Sequence, residues 1–123
     1  MFKGLAQMVY ELSGKNPHLC YQCGICSGGC PMIKFMDIPP HQIIRMIQFD
    51  IHEVLNCKSI WICSSCNTCT VRCPRDVDPA RMINVLRTIV QRRNIYPLNL
   101  RSVKGLGELP QIALISASRK FTG

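Results

Sequence analysis

The stretch "CYQCGICSGGCP", residues 20–31, decides the fold. Its four cysteines follow the spacing C-x2-C-x2-C-x3-C, and a proline closes the run. The chain repeats the pattern at "CSSCNTCTVRCP", residues 63–74. Cys20, Cys23, Cys26, Cys30 and Pro31 map onto Cys63, Cys66, Cys69, Cys73 and Pro74 after a shift of 43 residues. The match continues past the cysteines: "IIRMIQ" (43–48) lands on "LRTIVQ" (86–91), both with the apolar spacing of a helix. Each repeat therefore reads as a cysteine loop followed by a helix. Two copies are too few for a solenoid and suit a pseudo-twofold pair of sites.

The spacing points to the ligand. Three cysteines at three-residue steps can wrap one four-iron cube, each thiolate on a different iron. The fourth ligates the other cluster in two-cluster proteins. Structural zinc usually takes two ligands from each of two short loops, which this pattern fits poorly. Two 4Fe-4S clusters are expected. Crossed ligation assigns Cys20, Cys23, Cys26 and Cys73 to the first cluster, and Cys63, Cys66, Cys69 and Cys30 to the second. Each half then completes the other's site, so cluster loss should unfold the domain.

The rest of the composition agrees with this. A chain of 123 residues supports one compact domain. It has no apolar run of eighteen residues, so no transmembrane segment is expected. "MFKGLAQMVYELSGKN" lacks the form of a secretory signal, because Gln7 and Glu11 interrupt any apolar centre. A cytoplasmic protein is expected. Nine cysteines, an odd number, then read as thiols and metal ligands rather than disulfides. The formal charge is +8, but two clusters at about −2 each bring it to about +4. No nucleic-acid partner is expected. The sequence shows no nucleophile–base pairing, phosphate loop or paired carboxylates. A cube with four cysteine ligands has no open position for substrate, so the supported chemistry is one-electron transfer.

The coarse architecture is all-α. Residues 3–13 place Leu5, Met8, Val9 and Leu12 on one helical face, and Gly14 offers a stop. Pro39 and Pro40 open a second helix with Ile43, Ile44 and Ile47 inward. "DIHE" (50–53) has the form of a capping box, with Asp50 as N-cap of a short helix reaching about Cys57. "DPARMINVLRTIVQRRN" is the clearest helix, capped by Asp78, begun by Pro79, and buried along Met82, Val85, Leu86 and Ile89. Arg92 and Arg93 suit the dipole at its end.

Gly24, Gly28 and Gly29 let the backbone approach a cube, or simply make a tight turn. Pro31 and Pro74 end each loop where no donor is needed. Ile25, Met32, Ile33, Ile62 and Val71 can exclude water, and each taken singly is expected in ordinary core packing. Cys57, outside both runs, is expected in the core, and Trp61 as a packing lid. His18, His41 and His52 lack ligand spacing. Arg81, Arg87, Arg92 and Arg93 form a solvated face, or one that meets an acidic partner. Beyond residue 96, Pro97, Gly105, Gly107 and Pro110 break regular structure around the apolar island "IALISA" (112–117). The expected organisation is a domain over 1–95 and an arm over 96–123 that orders on a partner.

The first run with Tyr21, Gln22 and Gly24, the helix "PPHQIIRMIQFD", and "IWICSSCNTCTVRCPRDVDP" together resemble the C subunit of heterodisulfide reductase over residues 2–95. The resemblance implies an α-helical ferredoxin domain, the type also found in fumarate reductase and succinate dehydrogenase iron–sulfur subunits. It carries the eight run cysteines over as cluster ligands. It further implies a relay from a flavin-containing A subunit to a cysteine-rich B subunit, which cleaves the disulfide of coenzyme M and coenzyme B in methanogenesis. The alternatives are a free helical ferredoxin, or the C subunit of a related complex acting on another thiol or sulfur substrate.

Overall fold

The computed structural model describes residues 4–92 and 105–119. It divides into two units, Met1–Val90 and Gln91–Gly123. Among the described residues every regular element is helical. The α-helices are α1 (Leu5–Ser13), α2 (Ile25–Gly28), α3 (Pro40–Gln48), α4 (Ser59–Ile62), α5 (Thr68–Val71), α6 (Pro79–Arg92) and α7 (Gln111–Arg119). Single 3-10 turns lie between them, at Pro17–Leu19, Ile33–Phe35, His52–Asn56 and Leu106–Glu108.

The core of the first unit joins the two repeat helices. Ile43, Ile44 and Ile47 of α3 and Met82, Ile83 and Leu86 of α6 are all fully buried. Leu5 and Val9 of α1, Val54, Ile60 and Val77 belong to the same cluster. α3 packs against α1, α2 and the turns at 17–19 and 52–56. On α1 the buried face is Leu5, Ala6, Val9 and Ser13, one step around from the expected stripe, so Leu12 stays 43% exposed. Ser13 tolerates burial because its hydroxyl bonds the backbone of Lys15 in both directions. Gly14 ends α1 as expected, at φ +69°, with its N–H on the Tyr10 carbonyl.

Several helix starts are capped from a distance. Asp50 does not cap its own segment: 52–56 is a 3-10 turn without a side-chain cap. Its carboxylate instead accepts the Ala6 N–H at 2.8 Å, across 44 residues, and so caps α1. A Cβ on Gly4 would stand 2.8 Å from that carboxylate, so the glycine makes room for the cap. Asp37 accepts from the N–H groups of Lys58 and Ser59, both at 2.9 Å, and caps α4. Ser27, inside the first cysteine loop, accepts the His41 N–H at 3.2 Å and caps α3. α6 follows the expected local rule, with Asp78 accepting from Arg81 N–H at 3.2 Å.

In the second unit, "IALISA" lies within the helix α7 rather than in irregular chain. Pro110 accepts the first N–H bonds at its start. Ile112 and Ile115 are 77% and 57% exposed. Arg93 and Pro97 lie outside the described residues.

Candidate metal centre

The two cysteine loops have the same backbone. In the first, Gln22 and Gly24 take positive φ (65° and 78°); 43 residues on, Ser65 and Asn67 do the same (55° and 61°). These left-handed residues turn the chain between ligands, and glycine and asparagine are the residues that adopt that conformation most readily. Each turn then opens a one-turn helix, α2 or α5, and the two pack against each other. Gly28 and Gly29 have ordinary φ; a Cβ on Gly29 would stand 2.6 Å from Nη1 of Arg72, so this glycine seats an arginine of the opposite loop.

The cysteines largely repeat in burial as well. Cys23 and Cys66 are exposed, Cys20, Cys63, Cys30, Cys73 and Cys69 are half-buried, and Cys26 alone of the eight is buried. Burial pushes the free Cys26 thiol up to about 11, with the Cys20 and Cys69 charges adding to it. Burial likewise raises Cys69, helped by Cys63 and Cys66. Deprotonating these two therefore falls to the metal they would bind. Cys66 is lowered, chiefly by its hydrogen bond with the Thr68 hydroxyl at 3.3 Å.

A shallow cleft is lined by Cys63, Cys66 and Cys69 of the second loop and by Cys30 of the first. Met36, Ala80 and Ile83 supply its apolar wall. Four thiols converging from two loops on an apolar-walled space fit a four-iron cluster in donor type and number. Among the described residues, no three His, Cys, Asp or Glu side chains converge as tightly as a single ion requires. Tyr21, in the first loop, feels both runs. Its phenol is raised by desolvation first, then by Cys23, with Cys73 also contributing and Arg75 opposing.

Donors reach the sulfurs. Gln22 Nε2 donates to Cys20 Sγ at 3.3 Å, and the Val77 N–H donates to Cys73 Sγ at 3.4 Å. Such bonds favour the thiolate and raise a cluster's potential. Ile25 and Val71, expected in the core, are instead 44% and 84% exposed. They sit on the one-turn helices α2 and α5. Cys57 is in the core, as expected, and burial raises its thiol.

Residues 19–78 match the family described as a 4Fe-4S dicluster domain. The C subunit of the ferredoxin:CoB-CoM heterodisulfide reductase of Methanosarcina acetivorans is 35% identical over 89 residues, 72% of this chain and 36% of that protein. The chain is a relative of heterodisulfide reductase C subunits. An iron–sulfur C subunit of the CoB–CoM heterodisulfide reductase of Methanocaldococcus jannaschii is 37% identical over 79 residues, 64% of this chain and 42% of its own. The heterodisulfide reductase C subunit of Methanothermobacter thermautotrophicus is 26% identical over 132 residues, covering 88% of this chain and 71% of its own. The chain thus spans well under half the length of the first two heterodisulfide reductase relatives. These relatives are subunits of an oxidoreductase complex. No helix among the described residues is long and apolar enough to cross a membrane.

Two groups outside the runs hold the loops and were not visible as site residues. Gln48 Nε2 donates to the carbonyls of Pro17 and Cys20, at 2.8 and 2.9 Å. Arg87 donates to the carbonyls of Ile60 and Cys63. Pro17 and Cys20 become Ile60 and Cys63 under the same 43-residue shift. The same pair of carbonyls is clamped in both halves, by side chains that do not correspond. Arg87 is therefore not part of a solvated face; it is turned inward onto the second loop.

Proposed function

We propose that this chain is the electron-relay subunit of a heterodisulfide-reductase-like complex. It holds two 4Fe-4S clusters, on Cys20, Cys23, Cys26 and Cys73, and on Cys63, Cys66, Cys69 and Cys30. It takes electrons from a flavin-containing A subunit and delivers them to a cysteine-rich B subunit that reduces the disulfide of coenzyme M and coenzyme B. The observation that carries this reading is the cleft where Cys30 joins the three ligands of the other loop.

When bound, the clusters supply one-electron chemistry without proton transfer to substrate. The chain's own residues do the rest. The left-handed turns at Gln22, Gly24, Ser65 and Asn67 aim the thiols. Met36, Ala80 and Ile83 keep water from one side of the cleft. Exposed Cys23 and Cys66 mark where a partner comes closest, and Tyr21, Ile25 and Val71 supply an apolar surface there for it to cover. No residue on this chain is assigned to bond-making with substrate. The second unit, with Ile112 and Ile115 outward, serves as a docking arm.

The ligand set is tested by Cys30→Ser and Cys73→Ser in anaerobically purified protein. Cys30→Ser should disturb the spectrum of the cluster on the second run, and Cys73→Ser that on the first. Each variant disturbing only its own run would sink the crossed assignment. Function is tested by purification from the native host: flavin-containing and cysteine-rich partner proteins should accompany the chain. A chain that elutes alone, with its clusters intact, is a free ferredoxin instead.

A further inference from the structure

We propose that Arg87 is a positioning residue that sets the second cluster's reduction potential above the first's, giving the relay its direction within the chain. The inference rests on the reading that each cysteine run holds a cluster. It starts from the unequal clamps. Both loops are held by hydrogen bonds to the carbonyl of their first cysteine and to the carbonyl three residues before it. In the first half the donor is the neutral amide of Gln48; in the second it is the guanidinium of Arg87.

The difference is one full charge beside equivalent backbone. Arg87 is half-buried, and its further bonds go to Ser65 Oγ at 3.3 Å and Asn84 Oδ1 at 3.1 Å. All four of its partners are neutral, so none of them offsets the charge. A reduced cluster carries one more negative charge than an oxidised one. A nearby cation in a region of low dielectric therefore favours the reduced state.

Other cations are present and are weaker claimants. Arg45 bonds Gln48 Oε1 at 3.4 Å, but it lies outside on the Phe49 ring and is exposed. Arg75 acts on Tyr21 and is exposed too. Arg72 reaches Gly29, the neighbour of Cys30, from an exposed position. Solvent and salt screen all three. The position of Arg87 adds to the case: it corresponds to Ile44, a fully buried core residue of α3. A core position in one half has become a charged clamp in the other.

The test is an EPR-monitored redox titration of the full-length, cluster-loaded chain. Cys23→Ser and Cys66→Ser assign each signal to a run. Arg87→Gln, which copies the neutral clamp of the first half, should lower the second cluster's potential and leave the first unchanged. The equilibrium for sharing an electron between them should shift on the order of tenfold, about 59 mV for one electron. Arg87→Lys keeps the charge and loses the fork; it should hold the wild-type gap. Gln48→Lys should raise the first cluster and narrow the gap from the other side, which keeps the test open if Arg87→Gln does not assemble. The proposal is overturned if Arg87→Gln leaves the gap unchanged, or if Arg87→Lys closes it as far as Arg87→Gln does. A wild-type chain that binds no iron would instead bring down the functional reading beneath it.

Discussion

At the scale of single residues, the carboxylates have the least expected roles. Asp37 collects the N–H groups of Ile38, Lys58 and Ser59 together with the Ser59 hydroxyl. The Ser59 hydroxyl, above all, holds its carboxyl down to about 2 from an ordinary 3.8; burial opposes it, and the three N–H groups add to the lowering. A carboxyl depressed on folding stabilises the fold above its ordinary value and loses that contribution as pH falls toward the folded one. The window here runs from just above 3.8 down to about 2. Asp37→Asn should therefore bleach faster than wild type at about pH 6, well above that window. The difference should shrink as the pH approaches that window from above, with the visible cluster band as readout. Asp50→Ala removes the cap of α1 and should cost about 1 kcal/mol in urea unfolding. Cys57→Ala should keep the full iron content, because Cys57 packs in the core and does not itself line the cleft.

At the scale of elements, the two loops predict each other's substitutions. Gly24 and Asn67 occupy the same left-handed position. Gly24→Ala should cost about 1 kcal/mol or more of backbone strain, and Gly24→Asn should cost less, since asparagine visits that conformation readily. Thermal unfolding of the two variants separates them. This level was largely legible in the sequence. The cysteine repeat, the starts of α3 and α6, and their buried isoleucines and leucines follow from spacing and proline placement. What was not legible had one physical cause. Asp50, Asp37 and Ser27 cap helices 44, 22 and 14 residues away, and Arg87 bonds carbonyls 24 and 27 residues back. A capping box or a helical face is a local pattern, and no local pattern encodes a remote acceptor. The single trace was the mismatch of Ile44 with Arg87: a charge where the repeat predicts a core residue.

At the scale of the whole molecule, the two halves are mutually dependent. α2 and α5 pack together, Cys30 enters the cleft of the second loop, and Arg72 of the second run reaches Gly29 of the first. With a core of this size, metal binding should be coupled to folding. Stripping iron with a chelator should therefore abolish most of the helical circular dichroism in a single transition. Retention of the helical signal after complete iron loss would show that the core holds without the metal.

The bond between Ala6 and Asp50 also has a consequence for how the chain is made. Synthesis runs from the amino end, so α1 leaves the ribosome before Asp50 is made. Its cap does not exist until 44 further residues have followed. A nine-residue helix is too short to persist in water unaided. α1 must therefore wait, unformed, for the later segment that caps it.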